Sequence, residues 1–288
     1  MTRVAIIAAM AGELKPLVRS WQRERRNGVE LWRWRFDEGE WVAACAGAGV
    51  GAATRAFAEI EKDGAIDLVF SVGWAGALSE ELEAGRAYWV SGVIDVRTGE
   101  RFATGIRDQG SGICGPVGNG EFGDPHPSDN NKDVARVGHP AQADLPPRSQ
   151  NRDLGHPDIL LVTSPRVADE AEKRRLAAAY GAGLVDMEAA GVARLAAMRG
   201  IPFYCVKGVS DGFREKLPDF NRFILPEGRF QLGRFAVFCI LRPWYWPSLI
   251  RMGENSSKAS QSVRESLLDF LDERATIRER NGYPGLKR

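Results

Sequence analysis

Short apolar runs alternate with one-sided helical patterns along most of the chain. Val4 to Ala9 reads as a strand, Glu13 to Gln22 as a helix, Glu30 to Phe36 and Trp41 to Ala46 as strands, Gly51 to Lys62 as a helix, and Ile66 to Val72 as a strand. Leu14, Leu17, Val18 and Trp21 share one face of the first helix, and Ala53, Phe57 and Ile60 share one face of the second. Such helices suit a sheet that they cover from one side. Ala87 to Val96 is rich in β-formers and ends in a polar stretch, Arg97 to Arg101. After a long polar interval the alternation resumes. Ile159 to Val162 predicts a strand, Ala168 to Tyr180 a charged helix stopped by Gly181 and Gly183, and Leu184–Val185 a short strand. Met187 to Arg199 then predicts a helix, Pro202 to Lys207 a strand, and Ser210–Asp211 a loop. This order is that of an α/β protein.

Two stretches depart from the pattern. Between about 104 and 158 glycine, proline, asparagine and aspartate dominate, and the apolar surface is too small to offset the entropy of ordering. The reading is a disordered insertion in a single domain spanning 1–288. All three histidines, His126, His139 and His156, lie in it without nearby metal-ligand spacing, so no metal is expected. From about 226 an apolar extension begins. Phe230 to Leu241 predicts a helix, Arg242–Pro243 breaks it, Trp244–Tyr245–Trp246–Pro247 follows, and Asn255 to Arg274 carries Val263, Leu267, Phe270 and Leu271 on one face. Phe230 to Leu241 is too short to span a bilayer. Peripheral contact with a membrane is compatible with its tryptophans, but a cover for a sheet edge or a subunit contact is the expectation, and a homodimer with it.

Composition narrows the classes. With 288 residues, 39 Lys and Arg, 38 Asp and Glu and a formal charge of +1, the chain can bury a full core and shows no basic footprint for nucleic acid. Its four cysteines are scattered, three of them inside apolar runs, which indicates neither a disulfide framework nor a metal cluster. The N-terminus enters a strand without secretory features, so the cytoplasm is the expected compartment.

Candidate chemistry sits at three strand ends. Glu13 follows the first strand, Glu188 lies in Leu184–Val–Asp–Met–Glu–Ala–Ala–Gly191, and Asp211 lies in Val209–Ser–Asp–Gly212. A parallel α/β sheet gathers its ligands at such positions, so three acids can face one crevice, as cleavage of a glycosidic bond requires. Taken singly, each has a plainer reading: Glu188 as a favourable charge in the first turn of a helix capped by Asp186, Asp211 as a turn residue, Glu13 as a first-turn acid.

The segments Ile6–Ile–Ala–Ala–Met–Ala–Gly–Glu13, Ala46–Gly–Ala–Gly–Val–Gly51, Ser71–Val–Gly–Trp–Ala–Gly–Ala77, Val185–Asp–Met–Glu–Ala–Ala190 and Val209–Ser–Asp211 occur in the order seen in the nucleoside phosphorylase superfamily. The chain most resembles its 5'-methylthioadenosine/S-adenosylhomocysteine nucleosidases, from Arg3 to Asp211 outside the insertion. The resemblance implies a three-layer α/β/α fold with a central mixed, largely parallel sheet. It implies a hydrolase that releases adenine from a small purine nucleoside, as in methionine salvage, without a cofactor or metal. Glu13 would activate water, Glu188 would grip the ribose hydroxyls, and Asp211 would protonate the departing base. The last role calls for a pKa raised well above the usual value of about 3.9 by burial or a second acid. Met187, Gly73, Trp74, Ser210 and Val167 complete the substrate-binding candidates.

Phosphorolytic relatives carry an arginine and a serine in the loop after the Ile66 strand, where this chain has Ser71 and Trp74, so hydrolysis is favoured. The loop Thr163–Ser–Pro–Arg–Val–Ala168 lacks the aromatic residue that stacks on adenine in the nucleosidases, which leaves Trp74 as the stacking candidate. The aromatic tail resembles the ends of hopanoid-associated phosphorylases, which act on an adenosylated lipid. A phosphorylase, that type included, is therefore the runner-up, followed by a non-catalytic nucleoside-binding protein. Gly47–Ala–Gly–Val–Gly–Ala52 also satisfies a dinucleotide-binding pattern, but Asp67 begins the next strand where the supporting acid should end it.

Overall fold

A computed structural model of the protein describes residues 2–36, 39–105, 159–215, 217–225 and 228–280. The polar insertion, from 106 to 158, and its three histidines lie outside the described residues.

Strand β1 (Thr2–Ala8) alternates its side chains between two cores, and that alternation sets out the layers. Ala5 and Ile7 join one cluster, with Phe57, Ile60 and Val192 from helices α2 (Val50–Glu61) and α4 (Ala189–Arg199). Val4, Ile6 and Ala8 join the other, with Leu14 of α1 (Ala11–Leu14) and Val263 and Leu267 of α6 (Trp246–Arg280). A strand buried on both faces needs the unbroken apolar run that the sequence supplies. Helices thus cover both sides of the sheet, a three-layer α/β/α arrangement.

The remaining strands are β2 (Gln22–Arg26), β3 (Val29–Phe36), β4 (Gly39–Cys45), β5 (Leu68–Ser71), β6 (Trp74–Ala77), β7 (Ala87–Trp89), β8 (Gly92–Asp95), β9 (Arg101–Ala103), β10 (Leu160–Thr163), β11 (Leu184–Asp186) and β12 (Phe203–Asp211). They form one sheet in the order β2-β3-β4-β1-β5-β12-β6-β11-β10-β8-β9, with β7 pairing on β12. The run from β4 to β6 is parallel, as are β11, β10 and β8; β6 meets β11 antiparallel, and hairpins close both edges. Helix α3 (Glu170–Tyr180) packs Leu176 against β10 and β11, and ends at Gly181 in the left-handed region.

Several predicted boundaries are corrected. The helix expected over Glu13 to Gln22 stops after Leu14, because Pro16 has no N–H to continue it and its ring opposes the preceding turn. The chain turns through 15–21 and then enters β2, joined to β3 by Asn27–Gly28 with φ of 50° and 79°, the two positive values that a tight hairpin turn needs. Strand β12 does not end at Lys207 but runs on through Asp211, which is therefore a strand residue and not a loop residue. Helix α6 begins at Trp246, well ahead of the expected Asn255. Helix α5 (Leu232–Ile240) seats Phe235 and Phe238 against Phe220 and Phe223 of a short 3-10 helix, so what it covers is that turn and not the edge of a sheet.

Helix α6 lies along β12 at close range. Ser256, Ala259, Ser260, Val263 and Leu267 are buried at helical spacing. A Cβ on Gly208 would stand 2.7 Å from the Ala259 Cβ and 2.8 Å from its carbonyl oxygen. Gly208→Ala is accordingly expected to push α6 off the sheet and to destabilise the protein by about 2 kcal/mol, read as a fall in the urea midpoint. An unchanged midpoint would contradict this packing.

Candidate functional site

Lys207 is 1% exposed in the middle of β12, and its ammonium lies 2.9 Å from Asp186 at the end of β11. It also donates to the Val72 carbonyl at 3.1 Å, just beyond β5. Asp186 accepts from the Thr163 hydroxyl at 2.7 Å and from the Ala189 N–H at 2.9 Å, so it does cap the first turn of α4. Burial alone would lower the Lys207 pKa, but Asp186, Cys205 and Glu188 around it raise it above its ordinary range.

Glu188 faces this same ammonium from the start of α4. Gly49, whose φ is 92°, donates its N–H to Glu188 Oε1 at 2.6 Å. The two helix N-termini approach closely enough for this because Gly191 sits against Val50, where a Cβ would stand 2.9 Å from Val50 Cγ1. Burial, with Asp186 beside it, pushes the Glu188 carboxyl up to about 8 against the pull of Lys207. At neutral pH Glu188 is therefore mostly protonated. The plainer reading of this residue as a negative charge in a helix first turn does not fit a neutral acid.

Glu13 holds its carboxylate inside three backbone amides, accepting from Ala9 at 2.8 Å, Met10 at 2.9 Å and Trp74 at 3.0 Å. Burial nevertheless raises its pKa above the ordinary value, the three N–H groups and Lys207 opposing. Gly73, with φ of 125°, makes room for it: a Cβ there would stand 2.8 Å from Glu13 Oε2. Gly73 thus supports the acid by having no side chain.

Asp211 is delivered by a β-bulge. Val209 pairs with Ala75 and Asp211 with Gly76, so Ser210 is the extra residue that turns Asp211 toward β6. The Ser210 hydroxyl donates to Asp211 Oδ1 at 2.7 Å. The other oxygen receives the ammonium of Lys173 from α3, which also donates to the Gly212 carbonyl at 2.7 Å. Lys173 is 2% exposed. The neighbour of Asp211 is therefore a cation and not a second acid, which was one of the two routes to a raised pKa named for a proton donor.

The structure brings these groups to one end of the sheet. The Glu13 carboxylate lies over Gly73, just ahead of β6, and that of Asp211 stands 3.1 Å from where a Gly76 Cβ would be, inside β6. Glu13 and Glu188 feel each other's charge. Beside them opens a cavity of about 440 Å³ lined by Gly49, Met187, Thr163, Ser164, Arg97 and Arg166, among others. Among the described residues, the wall of this cavity does not include the three carboxylates. Met187 is on it, half-buried.

Two other candidates are already engaged. The Trp74 indole N–H donates to the Ser256 carbonyl at 3.0 Å and to the Ser260 hydroxyl at 2.8 Å, and the ring edge lies over Gly12. It is anchored to α6, which leaves it ill placed to stack on a base. Val167 presents its backbone to Asn221, whose carboxamide accepts from the Val167 N–H at 2.8 Å and donates to its carbonyl at 3.0 Å. The glycines of the dinucleotide-like turn also have local duties: Gly49 serves Glu188, and Gly47 packs on the Gly228 carbonyl, 2.6 Å from where its Cβ would be.

Lys173, Lys207 and Asn221 were not found from the sequence. Lys207 did carry a signal, a lysine inside the apolar run Phe203 to Val209, where only a partnered charge can be buried. Lys173 carried none, since Arg174 and Arg175 beside it make ordinary surface pairs.

Comparison with known proteins bears on this arrangement. The family model of the phosphorylase superfamily matches residues 3–227. No curated protein matches the chain. Among solved structures, 5'-methylthioadenosine/S-adenosylhomocysteine nucleosidase from Helicobacter pylori, with butyl-thio-DADMe-Immucillin-A, is similar with a TM-score of 0.59 at 13% identity, over 95% of this chain and 99% of that one. Futalosine hydrolase of the same organism gives 0.59 at 13% identity over 94% and 98%. The nucleosidase from Neisseria meningitidis, in complex with methylthio-immucillin-A, gives 0.58 at 16% identity over 95% and 100%.

The raised Glu188 pKa fixes the sign of a pH effect. Between 4.5, its ordinary value, and about 8 the unfolded chain carries Glu188 ionised while the folded chain holds it protonated. Stability is therefore lost as pH rises through that window. Glu188→Gln keeps an acceptor for Gly49 and has no proton to lose, so its stability relative to the parent should increase from pH 5 to pH 8 in urea unfolding. A difference that stays flat with pH would refute the assignment.

Proposed function

Because the chain belongs to the phosphorylase superfamily, we propose that it cleaves the N-ribosidic bond of an adenine nucleoside of the methylthioadenosine or adenosylhomocysteine type, releasing adenine to water. The observation that carries this reading is that Glu13 and Glu188 share the field of the buried Lys207 ammonium, with Asp211 farther along the same strand, β12.

The transition state of such a reaction resembles a sugar cation, which carboxylates stabilise. Glu13, whose pKa is raised by burial, orients water and takes its proton, a task that favours a base poised nearer neutrality. Glu188 meets the ribose hydroxyls, which donate to it as the Gly49 N–H does. Asp211 passes a proton to the departing base. Lys173 donates to the Asp211 carboxylate, so the proton that reaches the base originates on the Lys173 ammonium and crosses Asp211, leaving a neutral amine. Met187 on the cavity wall supports contact with the nucleoside. No step calls for a metal or a cofactor. The ligands of two similar structures, both immucillins, are consistent with a nucleoside-shaped site in this fold.

One observation favours phosphorolysis as a second reading. Arg97, Arg166 and Ser164 all line the cavity, and guanidinium groups with a hydroxyl are what a phosphate dianion requires. Against it, Ser71 at the position of the phosphorylase arginine is fully buried. Incubation with methylthioadenosine, with and without phosphate, separates the two by free adenine. Release without phosphate is expected. Release only with phosphate would favour the second reading, and binding without release would leave a nucleoside-binding protein. Asp211→Asn should lower turnover by roughly a hundredfold or more while leaving the fold intact; unaltered turnover would remove Asp211 as the donor.

A further inference from the structure

Helix α5 and the start of α6 present an apolar surface with no cover among the described residues. Phe235 and Phe238 point inward onto the Phe220 and Phe223 rings. The opposite arc of α5 is open: Leu232 is 70% exposed, Ile240 68% and Leu241 67%. Trp244, at 68%, and Ile250, at 62%, continue it into α6. Two contacts make one unit of these pieces: Trp246 donates its indole N–H to the Cys239 carbonyl at 2.8 Å, and Tyr245 stacks on Phe238 at 5.9 Å. Farther along, the buried face of α6 ties the unit to β12.

The segment that carries this surface is basic, with Glu215 and Asp219 of the preceding chain as its acidic neighbours. From 228 to 252 the chain carries Arg229, Arg234, Arg242 and Arg251 and not one aspartate or glutamate. Arg242 lies over the Phe238 ring, 4.2 Å from its centroid, at the margin of the open arc. Arg251 is the one that reaches an acid, Glu215 at 3.6 Å. An exposed apolar arc, indole rings at its end and arginines at its margins are the composition of a helix that lies in a lipid interface. Among the described residues no helix is long and apolar enough to cross a membrane, so the helix would lie along the surface.

We propose that α5 and the Trp244–Ile250 segment dock the protein onto an anionic bilayer surface. A second copy of the chain is the alternative occupant, and the charges argue against it. A twofold contact places the same patch on both sides, and here it would oppose Arg229, Arg234 and Arg242 to their own copies with no acid from the same segment to pair them, Arg251 being paired with Glu215. Anionic headgroups meet those arginines, while acyl chains cover the arc. The docked surface would lie beside the cavity: Phe223, which holds α5, is followed at once by Ile224 and Leu225 on the cavity wall. This inference stands on exposure and charge and does not depend on the reaction proposed above.

The test is flotation of the full chain with vesicles of phosphatidylcholine alone and of phosphatidylcholine with phosphatidylglycerol at a ratio of about 3:1, a composition that supplies the negative surface the arginines require. The protein should float with the mixed vesicles and much less with the neutral ones. Ile240→Asp with Leu241→Asp changes two exposed residues and should weaken binding roughly a hundredfold, with an unchanged circular dichroism spectrum and melting midpoint. Arg234→Gln with Arg242→Gln should lower affinity for the mixed vesicles by roughly tenfold. Equal binding to both vesicle types would overturn the charge argument. Absence from both floating fractions would overturn the proposal outright, and so would a parent dimer that the Ile240→Asp, Leu241→Asp chain dissolves into monomers without any vesicle binding.

Discussion

A single buried ammonium, that of Lys207, organises the end of the sheet where the candidate site lies. It joins β12 to Asp186 on β11 and to the Val72 carbonyl beyond β5, and Asp186 extends the link to Thr163 on β10 and Ala189 on α4. Taking two such charges out of water costs several kcal/mol each, and their attraction with the added hydrogen bonds roughly offsets it. The net gain in stability is therefore small. What the pair does secure is position, because five segments must meet at fixed places for its hydrogen bonds to be made, and any other register would leave a charge buried alone.

The same economy of charge governs the acids nearby. Asp186 takes the direct contact with Lys207, leaving Glu188 and Glu13 to share the remainder of its field in a dry surrounding. Burial then dominates both, and their pKa values rise, that of Glu188 to about 8. Acids held in this state cost folding stability, which proteins retain where chemistry needs it. Asp211 sits apart from that group with its own cation, so the three carboxylates are in different electrostatic settings although they serve one end of one sheet. Distinct settings for like groups are what a division of acid, base and binding roles demands.

Much of the fold was legible in the chain. The unbroken apolar run of β1 announced a strand buried on both faces, and the one-sided pattern of α2 announced its cover. The misreadings have local causes. Leu14, Leu17, Val18 and Trp21 do share a helical face, but Pro16 stands between them and ends the helix, so periodicity was weighed above a stronger steric rule. The Asn27–Gly28 turn was readable as a hairpin, yet β2 is Gln–Arg–Glu–Arg–Arg, whose polar side chains gave no apolar signal to set against it. For the site, the acids were found because strand ends are conspicuous. Their partners were not, because a cation on a charged helix looks the same whether it makes a surface pair, as Arg174 does with Glu170, or reaches a buried carboxylate, as Lys173 does.

The partner of Asp211 alters how a leaving base would be served. A carboxylic acid that donates its proton becomes an anion, and in a buried place that anion must be met by something. A second carboxylate can hold the first one protonated, but it would repel the anion left after transfer. An ammonium does the reverse: it favours the anion, so a proton delivered through Asp211 would have to come from Lys173 itself. Lys173 is fixed by the Gly212 carbonyl as well as by Asp211. Ser210 holds the other carboxylate oxygen, and the bulge that displaces Ser210 also turns Asp211 toward β6. Backbone irregularity, hydroxyl and ammonium thus act on one carboxylate together, and a substitution of Ser210 or Lys173 would move Asp211 before it changed the fold.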